Sequence, residues 1–146
     1  MEEKKVPEQV LVHDGARPFC SKKLIDRVLR SVSEHGTAIP ALPLVETIRL
    51  VTEEKTEIVD RNKLFSVQTP QGFKTSLIFD ASTQAILNNL EVTDDATLIE
   101  NIGGSVKIIK GEPQNLKITT PNDLDIANYI LNSMNLPSDP KEILNS

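Results

Sequence analysis

Short apolar runs alternate with amphipathic stretches along most of the chain. The first run, Val10-Leu11-Val12, breaks off abruptly in His13-Asp14-Gly15-Ala16-Arg17-Pro18. This pattern predicts a buried parallel strand whose carboxyl end delivers charged groups into a crevice, the place where open α/β sheets bind ligands. Residues 21–34 predict a helix. Ser21 can cap it, Leu24, Val28 and Val32 recur at four-residue steps beside Ile25 and Leu29, and Gly36 can end it. Thr37 to Leu42 predicts a second buried strand, and the order strand–helix–strand favours a parallel sheet with a right-handed crossover.

The pattern changes after Pro43. Val45 to Val51 is rich in β-formers, Ile58-Val59 is a shorter second run, and the polar stretch Thr52 to Glu57 separates them. This is a hairpin signature over residues 43–64. A two-stranded hairpin is marginal in water, so it is expected to lean on something else, a partner subunit being one candidate. A helix is expected over Thr75 to Leu90 with an apolar stripe of Leu77, Ile78, Ala81, Ala85 and Ile86. Another should start near Asp94 and end at Gly103-Gly104. Short strands are expected at Val106 to Ile109 and Leu116 to Thr119. A last helix should begin with Thr120 as cap and Pro121 in the first position, with an apolar stripe of Leu124, Ala127, Ile130 and Leu131 at helical spacing. From residue 133 onward the chain reads as a flexible tail, so residues 1–132 form one expected α/β domain.

Composition narrows the function classes. A length of 146 residues suits one domain with a modest core, and the net charge of -5 argues against nucleic acid, which calls for a basic face. Four Phe, one Tyr and no Trp are too few for base-stacking platforms. A single cysteine, Cys20, excludes an internal disulfide and any zinc-ribbon spacing. The sequence has no apolar run near the roughly 20 residues that cross a bilayer. Its polar start, Met1-Glu2-Glu3-Lys4-Lys5, lacks the apolar stretch of a signal peptide, so a cytoplasmic protein is expected.

Four polar clusters interrupt this framework. In the first, Asp14 at a strand end suits Mg²⁺, a hard cation that takes carboxylate and phosphate oxygens, or else pairs with Arg17 to fix the loop. Arg17 itself reads as mainly structural, and His13 as a hydrogen-bonded loop histidine. The second cluster joins Asp60-Arg61-Asn62 to Gln68-Thr69-Pro70-Gln71-Gly72-Phe73. Arg61 at the end of a projecting hairpin can reach a phosphate, in its own subunit or across an interface, or simply be solvated. Thr69 to Gly72 reads as a turn whose hydroxyl and amide suit ligand hydroxyls or the turn itself. The third, Thr93-Asp94-Asp95, opens a helix and is explained in part by capping. The fourth, Asn115 to Thr120, carries Lys117 on a short strand before a capped helix, a point charge for phosphate or a solvated lysine. A serine elbow, paired Cys or His metal spacing, a Walker loop and Gly-x-Gly are all missing from the sequence.

Taken in order, Val10–Pro18, Val59-Asp60-Arg61 with Val67–Phe73, Thr93–Glu100 and Asn115–Asp125 resemble the 2-C-methyl-D-erythritol 4-phosphate cytidylyltransferases of isoprenoid precursor biosynthesis. The resemblance covers about residues 8 to 132. It implies a Rossmann-like nucleotidyltransferase sheet and a homodimer interlocked through a β-arm, here residues 43–64. It also implies a reaction in which the methylerythritol phosphate attacks the α-phosphorus of CTP with Mg²⁺ present and releases pyrophosphate. By the same resemblance, Asp14 sits beside the metal and the nucleotide, and Asp14 and Lys117 carry the catalysis. Lys117 and Arg61 of the opposite subunit grip the acceptor phosphate, Thr93 contacts the same substrate, and Thr69 and Gln71 line the pocket. Arg17 and Asp94 stay structural or secondary.

Family members begin with a strand and a Gly-rich basic loop that cradles the triphosphate. This sequence resembles the part that follows, so it is expected to be truncated on its N-terminal side and inactive alone. A ribitol 5-phosphate cytidylyltransferase shares much of the pattern, but Gly15-Ala16, Val59 and Thr93–Glu100 resemble the isoprenoid enzyme more. A non-catalytic dimerisation module that kept the arm is the third reading.

Overall fold

The computed structural model describes residues 6–90 and 94–134. Strand β1 (Gln9–Val12) leads to helix α1 (Lys22–His35), which packs beneath strand β2 (Thr37–Pro43). The helix ends are as expected. Ser21 Oγ accepts the Leu24 N–H at 3.0 Å, and Gly36 closes the helix at φ 83°, a conformation that suits a residue without a Cβ. The arm follows as strands β3 (Ile48–Val51) and β4 (Thr56–Val59), which among the described residues pair only with each other, and a 3₁₀ turn at Arg61–Lys63. The Leu44 N–H bonds to the Leu64 carbonyl at 3.3 Å and closes the arm's base.

Strands β5 (Phe65–Val67) and β6 (Gln71–Lys74) correct the expected turn at Thr69 to Gly72, because Gln71 and Gly72 belong to a strand. Both run antiparallel to β2, β5 against residues 41–43 and β6 against Thr37 and Ala38. They make one run interrupted at Gln68–Pro70. Strand β7 (Ile108–Lys110) takes the opposite edge of β2 in parallel. On its far side β6 pairs antiparallel with β1, Val10 facing Phe73 and Leu11 facing Gly72. The buried parallel strand expected at Val10–Val12 is therefore half-buried and hydrogen-bonded antiparallel. It does run in the same direction as β2, but with β6 inserted between them.

Alternating side chains divide the core between the two faces. Leu24, Val28 and Val32 of α1 pack with Ala38 and Leu11 on one face. On the other, Phe73 and Ile39 meet helices α2 (Thr75–Leu87) and α3 (Asp95–Asn101) through Ala81, Ala85, Ala96, Leu98 and Ile99. Gly72 marks the tightest approach. A Cβ there would stand 2.5 Å from Val28 Cγ1 and 2.6 Å from Val32 Cγ2, so the strand lies close under α1 only because position 72 has no side chain.

Two expected apolar stripes are not fully buried. Ile86 of α2 is 76% exposed, and in helix α4 (Pro121–Met134) Ala127 is buried while Leu124 and Leu131 are about half exposed. Among the described residues no element covers those faces. Helix α4 runs to Met134, past the expected start of the tail at residue 133, and residues 135–146 lie outside the described part.

The start of α4 is held by one carboxylate. Asp123 Oδ2 accepts the Thr119 and Thr120 N–H groups at 2.9 and 2.8 Å and the Thr119 hydroxyl at 3.0 Å. These bonds to the charged form, the Thr119 backbone bond foremost, bring its pKa down to about 2. A depressed folded-state pKa stabilises above the unfolded value and is lost as pH falls through the folded one. Asp123→Asn should therefore lower the melting temperature at pH 7, and the gap to the parent should close between about pH 4 and pH 2. Thermal melts followed by circular dichroism across that range measure it.

Candidate functional site

The site forms where β1 ends. The Arg17 N–H bonds to the Asp14 carbonyl at 3.0 Å and the Ala16 N–H to Asp14 Oδ1 at 3.1 Å, an Asx-type turn that holds the Asp14 carboxylate in place. The free Oδ2 meets Lys117 Nζ at 2.8 Å. The Lys117 hydrogen bond first, then the Ala16 N–H, keep Asp14 below the usual carboxylate range. Lys117 is not on a strand as expected. Its extended segment is tied to the β1 turn by one backbone bond, Ile118 N–H to the Ala16 carbonyl at 2.9 Å. The side chains of Asp14 and Lys117 are 25% and 49% exposed, and an ion pair in that setting adds little stability. Its position at the mouth of a cleft is the informative part.

That cleft has a volume of about 480 Å³ and collects Asp14, Arg17, Thr69, Gln71, Asp94 and Lys117 from four separate segments. The Thr69 hydroxyl accepts the Asp14 N–H at 2.9 Å and lies 2.9 Å from His13 Nδ1. Gln71 Nε2 donates to Asp94 Oδ1 at 2.6 Å. This corrects the capping account of Asp94. It occupies the cap position of α3, but its carboxylate makes no cap bond and turns to Gln71 instead. Beside it, burial first and the Asp94 charge second raise the pKa of Asp95. A larger cavity, about 850 Å³, lies at the other end of β1 between Glu8, Lys74 and Phe79, away from these groups.

Arg17 is held as a strut. It donates to the Asn115 carbonyl at 2.8 Å and the Val67 carbonyl at 3.3 Å. The interruption between β5 and β6 supplies the rest of the support, which sequence reasoning missed. Gln68 pairs with Glu112 like a strand residue, its Nε2 donating to the carbonyl at 2.9 Å and its Oε1 accepting the N–H at 3.0 Å. Asn115, fully buried, donates through Nδ2 to the Thr69 carbonyl at 2.7 Å. Together they tie the segment before Lys117 to the segment carrying Thr69. A buried amide in an irregular loop has no periodicity to betray it.

Arg61 stands apart. It does not line the cleft of its own chain, and its guanidinium donates to the Val45 carbonyl at the base of the arm. Thr93 lies outside the described residues.

A sequence model of the family described as 2-C-methyl-D-erythritol 4-phosphate cytidylyltransferase matches residues 1–133. The chain is 44% identical over 125 residues to the protein of that name from Bacillus licheniformis, covering 85% of this chain and 54% of that protein. Its counterpart from Clostridioides difficile is 44% identical over 124 residues, covering 84% and 52%. Among solved structures, 2-C-methyl-D-erythritol 4-phosphate cytidylyltransferase from Thermus thermophilus superposes with a TM-score of 0.79 at 40% identity, over 86% of this chain and 62% of that one. The 4-diphosphocytidyl-2C-methyl-D-erythritol synthase of Anaerococcus prevotii gives 0.78 at 32% identity, over 86% and 57%. The chain spans about half the length of the curated relatives it matches. A match of this extent in sequence, on an α/β sheet that superposes on the solved enzymes, places the chain in the 2-C-methyl-D-erythritol 4-phosphate cytidylyltransferase family.

Proposed function

We propose that this chain supplies the acceptor side of a cytidylyltransferase site, in which the phosphate of 2-C-methyl-D-erythritol 4-phosphate attacks the α-phosphorus of CTP and pyrophosphate leaves. The observation that carries the reading is the Asp14–Lys117 pair, 2.8 Å apart at the mouth of a cleft fed by four segments. Two phosphorylated anions must meet there, so the protein's work is to position them and neutralise their charge. Lys117 offers a compact cation to the acceptor phosphate. Thr69 and Gln71 offer polar groups to its hydroxyls, and Arg61 of a second subunit offers a further cation. Thr93 belongs to the same proposed set.

Mg²⁺ fits the donors present. Asp14 offers a hard carboxylate oxygen, and among the described residues no three acidic, His or Cys side chains gather into a closed cage. Asp14 would then be a single protein ligand, the mode in which Mg²⁺ keeps waters and takes substrate phosphate oxygens. Bound there, the ion supplies neutralisation of phosphate charge.

Dimerisation through the arm belongs to the same reading. Val51 and Ile58 are 69% and 67% exposed on a hairpin that no other described strand supports, apolar surface that suits a second copy. No described helix is long and apolar enough to cross a membrane, and the reading places the reaction in the cytoplasm.

The test compares the 146-residue chain with the same chain joined to the part of the Bacillus licheniformis relative that it does not match. Each is given CTP, Mg²⁺ and methylerythritol phosphate. The joined protein should release pyrophosphate and sediment as a dimer, and the shorter chain should release none above background. A folded joined protein that is inactive, or that prefers ribitol 5-phosphate, would overturn the reading.

A further inference from the structure

His13 has a defined partner at each ring nitrogen, and together they select one tautomer of the neutral ring. Its Nε2 lies 3.0 Å from the Arg17 carbonyl, a group that can only accept, so Nε2 carries the hydrogen. When the ring is neutral, Nδ1 is then an acceptor, and the atom facing it at 2.9 Å is the Thr69 hydroxyl oxygen. That same oxygen already accepts the Asp14 N–H at 2.9 Å. The Thr69 hydroxyl proton therefore goes to His13. Hydrogen bonds run one way along this path, from the Asp14 N–H through the Thr69 hydroxyl to the His13 ring, and from the ring to Arg17.

We propose that His13 is a positioning residue whose ring commits the Thr69 hydroxyl proton, so that Thr69 meets a ligand in the cleft only as a hydrogen-bond acceptor. An acceptor-only oxygen repels phosphate oxygens and selects a donor, here a hydroxyl of the acceptor polyol. Thr69 thus reads the sugar-alcohol part of the ligand and leaves the phosphate to Lys117. This consequence rests on the polyol-phosphate reading of the cleft, while the lock itself does not.

The two levels separate in experiment. Long-range ¹⁵N–¹H correlation on the histidine-labelled 146-residue chain at neutral pH reports the ring state of His13, and His35→Gln assigns the signals, since the chain has two histidines. The Nε2–H form is expected. The Nδ1–H form, or a ring protonated on both nitrogens, would overturn the lock. Affinities for methylerythritol phosphate and for inorganic phosphate are then compared in the parent and three variants. His13→Phe keeps a ring but frees the Thr69 proton, and should lower the preference for the polyol phosphate over inorganic phosphate about 3- to 10-fold. His13→Asn places an amide oxygen near the Nδ1 position and should restore the preference. Equal behaviour of the two variants, both folded, overturns the role of His13. If Lys117→Met changes neither affinity, the polyol-phosphate reading falls instead, and the lock is still decided by the ring nitrogens.

Discussion

Lys117→Met in the joined protein should lower kcat/KM for methylerythritol phosphate by about 100-fold or more, the scale set by removing one preorganised charge from developing phosphate charge. Folding should be spared, because the lysine side chain is half exposed and its ion pair with Asp14 adds little stability. Lys117→Arg should recover part of the loss, since it keeps the charge but brings a planar fork in place of a compact ammonium. The variant also changes the acid limb. Lys117 is the largest cause of the depressed Asp14 pKa, so without it that carboxylate titrates closer to the ordinary carboxylate range. Protonated Asp14 cannot bind a cation, and a lowered pKa keeps the carboxylate ionised to lower pH. The acid side of the residual pH–rate profile should accordingly move up in pH. Steady-state rates with varied acceptor, repeated from about pH 2.5 to pH 8, read both effects. Unchanged kcat/KM would show that the cleft does not use this cation.

Phe73→Ala should be the most damaging single change to stability, by about 3 to 5 kcal/mol. Phe73 is fully buried in the central strand β6, opposite Val10, and it joins Ile39 of β2 to the alanines of α2 and α3. Removing the ring leaves a cavity that strands on both sides prevent from closing. A whole domain is commonly stable by only about 5 to 15 kcal/mol, so the loss is a large share of the total. For a chain of this length the melting temperature should drop by about 10 °C or more, measurable by calorimetry or circular dichroism. Phe73→Leu, which keeps much of the volume, should cost clearly less.

The legible parts of the fold are those whose reasons are local. Ser21, the Leu24–Val28–Val32 series and Gly36 define α1 without help, and the polar gap between Val51 and Ile58 defines the arm. Strand β6 was not legible because its reasons are tertiary. Thr69-Pro70-Gln71-Gly72 has the chemistry of a turn, and Gly72 belongs in a strand only because α1 lies against it. The stripes containing Ile86, Leu124 and Leu131 had the right period, but period cannot say whether a second surface is present to cover it.

The site divides in the same way. Asp14 stood out because an apolar run stops at a charge. Lys117 is legible as a charge suited to phosphate, but its proximity to Asp14 is not, because it depends on the Gln68 and Asn115 amides holding two loops together. Asp94 was misread because an acid before a helix suggests a cap, and only the nearby Gln71 amide gives it another partner.

Phe73 of β6 pairs with Val10 on one side and Thr37 on the other. A ribosome must therefore release the chain as far as this strand before the first two strands can be joined. At roughly 5 to 20 residues per second, the edge of β1 waits about 3 to 13 s for its neighbour. Helix α1 needs far less time and can cover one face during the delay. Because β6 also carries Gln71 and follows Thr69, its arrival joins the first two strands and brings two cleft residues to the β1 turn, while β7, Asp94 and Lys117 complete the sheet and the cleft only later.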